Sequence, residues 1–130
     1  MGLTDAKIEE RIRAVREAGA TELDLQFSGI KRLPESIADA TQLKVLWLYS
    51  ASLSSVPDWI GNFVQLEELW LEANNIQFLP ESIGNLTQLR QLAVGTNQLR
   101  SLPESIGNLA ATGWTRMARR PHRRANRFSS

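Results

Sequence analysis

A chain of 130 residues, 42% hydrophobic and 22% charged, has the size and composition of one folded domain. It contains no cysteine, which excludes a disulfide framework, a Cys/His zinc site and a thiol nucleophile, and which favours a cytoplasmic location. Its net charge of +1 hides an asymmetry: residues 1–110 hold nine Lys/Arg and all fourteen Asp/Glu, a net of −5, while residues 111–130 hold six Arg and no acid.

The N-terminal stretch MGLTDAKIEERIRAV is charged from its first turns and lacks an apolar core of signal-peptide length. Apolar runs elsewhere are only a few residues long, too short to cross a membrane. The triplet Asn85-Leu86-Thr87 fits a glycosylation site, a reading that would need a secretion signal. Residues 5–18 read as a helix, with Thr4 or Asp5 as N-cap and Gly19 just past its end. Ile8, Ile12 and Val15 form one apolar stripe, and Glu9/Arg13 and Arg13/Glu17 are pairs at i, i+4. The expectation is a cap lying across Leu23 and Leu25; an amphipathic helix for a partner is the alternative.

From residue 20 the chain repeats itself. Pro34, Pro57, Pro80 and Pro103 lie 23 residues apart, as do Leu23, Leu46, Leu69 and Leu92, and Ile37, Ile60, Ile83 and Ile106. A leucine-dense period of this length marks a solenoid. The template L-x-x-L-x-L recurs at Leu43–Leu48, Leu66–Leu71 and, with valine last, Leu89–Val94. Its alternating end predicts short parallel strands near 22–26, 45–49, 68–72 and 91–95. The turn after each strand carries Ser28, Ala51, Asn74 or Asn97 at equivalent positions. Asparagine can bond unpaired backbone there and alanine cannot, so the second repeat is expected to have the loosest turn. Each return path opens on proline, which suits the start of a 3₁₀ or one-turn helix. Gly61, Gly84 and Gly107 are expected to end those turns in the left-handed conformation.

These units resemble the leucine-rich repeat family, and within it the 23-residue L-P-x-x-I-G-N-L-x-x-L class of Ras-suppressor, scribble-like and bacterial repeat proteins. The resemblance covers residues 20–109. It implies an α/β solenoid, with a curved parallel sheet on the concave side and short helical turns on the convex side. The expected organisation is a capping helix over 1–19, four repeats over 20–109 and an irregular basic segment over 110–130.

Stepping 23 residues from Leu89, Leu92 and Val94 lands on Thr112, Thr115 and Met117, so the template stops at Leu109. Three readings of the basic segment stay open: a foreign or frame-shifted end, an improvised cap built on Trp114, Met117 and Ala118, or a basic arm for nucleic acid or acidic partners. An uncovered last repeat would expose Leu99, Leu102 and Ile106 and allow a homodimer through that end; otherwise the chain is expected to be monomeric.

The variable strand positions form three columns on the concave face: Glu22, Val45, Glu68, Gln91; Asp24, Trp47, Trp70, Ala93; and Gln26, Tyr49, Glu72, Gly95. Trp47 and Trp70 are expected side by side and exposed, flanked by Tyr49, Asp24, Glu68 and Glu72. Tryptophan and tyrosine dominate interface hot spots, and the acids suit a partner presenting Lys or Arg. Trp59 stands where the other repeats have serine and reads as local packing. Catalysis has little to stand on. The one histidine, His122, lies in the basic segment, the serines recur structurally, Glu68 and Glu72 lack enclosure, and no phosphate-binding glycine motif occurs. The expected role is a non-catalytic protein-binding module without cofactor or metal, whose partner the sequence does not name. A repeat fragment without independent activity is the alternative, and nucleic-acid binding through the arginines ranks below both.

Overall fold

The computed structural model describes residues 2–110. The basic segment, with its cap, arm and foreign-end readings, lies outside the described residues. Helix α1 spans Asp5–Ala18. Strands β1 (Glu22–Asp24), β2 (Val45–Trp47), β3 (Glu68–Trp70) and β4 (Gln91–Ala93) form one parallel sheet in sequence order. Leu23 pairs with Leu46, Leu46 with Leu69 and Leu69 with Leu92, so the sequence period is also the sheet register. Those four leucines are buried, with Leu25, Leu48 and Leu71 beside them.

The strands run three residues rather than five because the backbone turns immediately afterwards. Phe27, Ser50, Ala73 and Thr96, again 23 apart, adopt φ of 59°, 51°, 61° and 55°. None is glycine, so each left-handed residue costs about 1–2 kcal/mol. Hydrogen bonding between repeats continues through the bend: Phe27 N–H donates to the Tyr49 carbonyl at 3.0 Å and Ser50 N–H to that of Glu72 at 3.0 Å.

Asn74 and Asn97 hold these turns together, but each serves the repeat before its own as well. Asn74 is 6% exposed. Its Oδ1 accepts from Ala51 N–H and Leu53 N–H, both at 2.9 Å, and its Nδ2 donates to the carbonyls of Leu48, Leu71 and Glu72. Asn97 repeats the pattern toward Ile76 and Leu71. The second repeat is therefore not the loosest turn; Asn74 reaches back to it. The shortage falls on the first repeat, where Ala51 stands at the bridging position and the buried Ser28 Oγ has no hydrogen-bond partner. Ala51→Asn would extend the asparagine ladder by one step. It is expected to raise the urea midpoint, by about 1 kcal/mol of stability; an unchanged or lower midpoint would show that the first turn is satisfied without it.

The convex side carries 3₁₀ turns at Glu35–Ile37, Asp58–Asn62 and Glu81–Asn85, then α2 at Ile106–Ala110. Pro34, Pro57 and Pro80 sit at their N-caps in extended backbone. Serine hydroxyls bridge successive turns: Ser82 Oγ donates to the Asp58 carbonyl at 2.7 Å and Ser105 Oγ to that of Glu81 at 2.6 Å. The glycine expectation is corrected here. Among the described glycines only Gly19 and Gly29 have positive φ, so Gly61, Gly84 and Gly107 do not end turns in the left-handed form. Gly61 and Gly84 are required by proximity: a Cβ on Gly84 would lie 2.5 Å from Ser105 Cβ and 2.8 Å from its carbonyl oxygen. Gly84→Ala should force adjacent repeats apart at a cost of about 1–3 kcal/mol, read from urea unfolding. A cost matching that of an exposed-site alanine would show that the repeats give way freely.

Helix α1 covers the β1 end of the core with Ile8 and Ile12. Thr4 Oγ1 accepts from Lys7 N–H at 3.1 Å, and Gly19 closes the helix at φ 66°. The helix's ion pairs are Lys7–Glu10 at 3.8 Å and Arg16–Asp39 at 3.9 Å, in place of the Glu9/Arg13 and Arg13/Glu17 pairs. All four partners are solvent-exposed, so these pairs add little stability.

Candidate functional site

The concave face is built by the register. Because Trp47 pairs with Trp70, their side chains leave the same side of adjacent strands. Their rings stack with centroids 5.6 Å apart and planes 8° from parallel. Each covers one face of the other, so both are half-buried rather than exposed as the sequence suggested. Trp70 Nε1 donates to Glu68 Oε1 at 3.0 Å, which fixes the orientation of that indole.

Tyr49 lies two residues beyond Trp47 and is exposed. Its ring partner is Phe27, edge-on at 5.3 Å, with planes 81° apart. Sequence reasoning missed Phe27, which is 60% exposed. Its position in the other repeats holds serine, alanine and threonine, so the template gives it no role; an aromatic among small turn residues was the available signal. Asp24 is in register with Trp47 on the β1 side. Its carboxylate accepts from Gln26 N–H at 3.0 Å and from Gln26 Nε2 at 3.3 Å, while Arg11 Nη1 donates to its backbone carbonyl at 2.7 Å. Glu72 is half-buried, its carbonyl taking Ser50 N–H.

The twelve positions of the three columns thus hold four acids and no Lys or Arg. Lys44 just before β2, Arg90 just before β4 and Arg11 of α1 are the bases nearest the face by sequence order and contacts. The surface is an aromatic strip with acidic flanks, suited to a cationic, partly planar group and unsuited to enclosing a substrate. A separate groove of about 630 Å³ runs between α1 and the first convex turn, lined by Ile8, Ile30, Leu33 and Trp59 among others. Trp59 packs edge-on against Phe63 at 6.0 Å, in keeping with its reading as local packing. Among the described residues no three His, Cys, Asp or Glu side chains gather as a metal site, and no helix is long and apolar enough to cross a membrane.

A parallel sheet with one strand per repeat, facing a ladder of short helical turns, defines a repeat solenoid with an open concave surface. The family pattern described as Leucine Rich Repeat matches residues 65–86. No curated protein sequence matches the chain. Among solved structures, the leucine-rich repeat domain of the type III effector XopL is similar at 27% identity and a TM-score of 0.70, over 76% of this chain and 34% of that one. A leucine-rich repeat protein of Leptospira interrogans is similar at 29% identity and a TM-score of 0.60, over 75% of this chain and 31% of that one. The chain carries a leucine-rich repeat and folds as a leucine-rich repeat solenoid, and it spans about a third of the length of these two solved structures. The fold generally mediates protein–protein interaction.

Proposed function

We propose that this chain is a non-catalytic protein-binding module whose partner seats on the concave face. Trp47, Trp70 and Tyr49 supply the apolar contact, and Asp24, Glu68 and Glu72 select for basic groups. The observation that carries this reading is the Trp47–Trp70 stack, held by the sheet register and by the Glu68 bond yet only half-covered. A rigid aromatic pair loses little conformational freedom on binding, which is what an interface anchor needs. The lack of cysteine supports a cytoplasmic setting for the interaction.

The test compares the full chain with its Trp47→Ala/Trp70→Ala variant as bait in native lysate, with captured proteins identified and their affinities measured. Capture should be lost in the variant while the melting curve stays cooperative. An unchanged set of captured proteins would place the interaction surface elsewhere.

A further inference from the structure

We infer that the concave face is matched to an arginine-rich segment, and that residues 113–130 of this same chain are the segment that docks there. The inference rests on the concave-face reading of function and names its chemistry. Trp47 stacks on Trp70 through one ring face only. On its other side the in-register neighbour is Asp24. Adjacent strands are roughly 4.8 Å apart, so a planar guanidinium lying on Trp47 is within reach of the Asp24 carboxylate, sharing its oxygens with Gln26 N–H and Nε2. Arginine suits this slot better than lysine, because it stacks flat and donates sideways at once. Further along, Glu68 is already turned toward the rings by its bond to Trp70, and Glu72 follows Trp70 on the same face.

Charge and reach point to the same occupant. The repeats and α1 together carry −5, and residues 111–130 carry six arginines: Arg116, Arg119, Arg120, Arg123, Arg124 and Arg127. The described chain ends just after Leu109, in the repeat of β4, and β4 is the strand next to Trp70. Twenty extended residues span up to roughly 66 Å. From α2 on the convex side the segment first rounds the β4 edge of the sheet, and four strands at roughly 4.8 Å spacing are then crossed in about 15 Å, well within that span. Tethering sets an effective concentration on the order of millimolar, so individually weak arginine contacts suffice to populate the docked state. Docked there, the segment competes with any basic partner for the same rings.

The absence of cysteine makes the test clean. Ser129→Cys in the full chain carries one nitroxide label, and the indole N–H resonances of Trp47 and Trp70 are observed by NMR, with Trp59 on the convex side as internal control. The expected result is broadening of Trp47 and Trp70 well beyond that of Trp59 at low salt. It should be independent of protein concentration and lost both at about 0.5 M salt and in the full chain carrying Arg119, Arg120, Arg123 and Arg124 all changed to Gln. The same Gln variant should capture several-fold more protein through Trp47 and Trp70.

Equal sharpness of the Trp47, Trp59 and Trp70 indoles overturns the inference, as does broadening seen only between labelled and unlabelled copies. If capture needs Trp47 and Trp70 but is indifferent to the Gln changes, and no broadening occurs, the inference fails and the proposed function stands. If broadening occurs and the Gln variant captures nothing, the docking stands and the partner reading fails. Salt-sensitive retention of DNA by the arginines without broadening assigns the segment to nucleic acid and also overturns the inference.

Discussion

Asn74→Ala should lower stability by about 3–4 kcal/mol, a fall of roughly 10–15 °C in Tm for a chain of this size. The asparagine side chain is shared by two repeats. Its removal leaves Ala51 N–H and Leu53 N–H without their acceptor, and takes a donor from the Leu48, Leu71 and Glu72 carbonyls. Because the site is buried, water cannot replace those bonds without opening the turn. Asn74→Asp separates the two halves of the interaction. It keeps the acceptor but sets a carboxylate against three carbonyl oxygens, so it should be no better than alanine. Asn97→Ala should cost less, about 1–2 kcal/mol, since Asn97 is only half-buried and water reaches its partners. Urea unfolding of the three variants checks the order. A loss at Asn74 no larger than at Asn97 would mean that the bridge between repeats is not what holds the turns.

The same asparagine shows how far the fold was legible in the sequence. The 23-residue interval carries the sheet order and the register, because a solenoid stacks each repeat on its neighbour and every Leu23-type position must meet its equivalent. What the interval leaves out is direction. It says that position 74 is equivalent to position 51, not that the Asn74 side chain crosses to the repeat before. Hence the turn short of a partner is that of the first repeat and not that of the second. Glycine misled for a related reason. Gly84 looked like a turn residue because turns commonly end on glycine, whereas its requirement comes from Ser105 in the next repeat. The left-handed backbone instead falls on Phe27, Ser50, Ala73 and Thr96, residue types with no preference for it.

The candidate site was legible to the extent that it depends on register. The Trp47–Trp70 neighbourhood follows from counting, and the stack is what two indoles at strand spacing do. The half-burial of each ring and the Glu68 bond to Trp70 depend on rotamers, which no period encodes. Phe27 belongs to the turn rather than to a column, so a reading organised by columns passed over it. Its contact with Tyr49 extends the exposed aromatic surface beyond the two tryptophans.

A double-mutant cycle on Trp47 and Trp70 is expected to give the largest effect on function. With a partner captured by the full chain, each single change to alanine should weaken binding by about 30-fold or more, the effect of an interface anchor worth at least 2 kcal/mol. The two changes should not add. The rings are parallel with centroids 5.6 Å apart, so removing Trp47 uncovers a face of Trp70 and frees the remaining ring to move. The coupling should therefore be about 0.5–1.5 kcal/mol, the range measured for aromatic pairs beyond area burial. Trp70→Phe tests the second restraint. It keeps a ring but removes the indole N–H that bonds Glu68, and should fall between wild type and Trp70→Ala. Stability should move much less than affinity in all of these variants, because the core beneath is made by Leu46 and Leu69, whose side chains point to the other side of the sheet. Strict additivity would mean that the tryptophans act as separate contacts and the stack is incidental. Loss of affinity in step with loss of folded protein would return both rings to a structural role, and the concave face would no longer be the site.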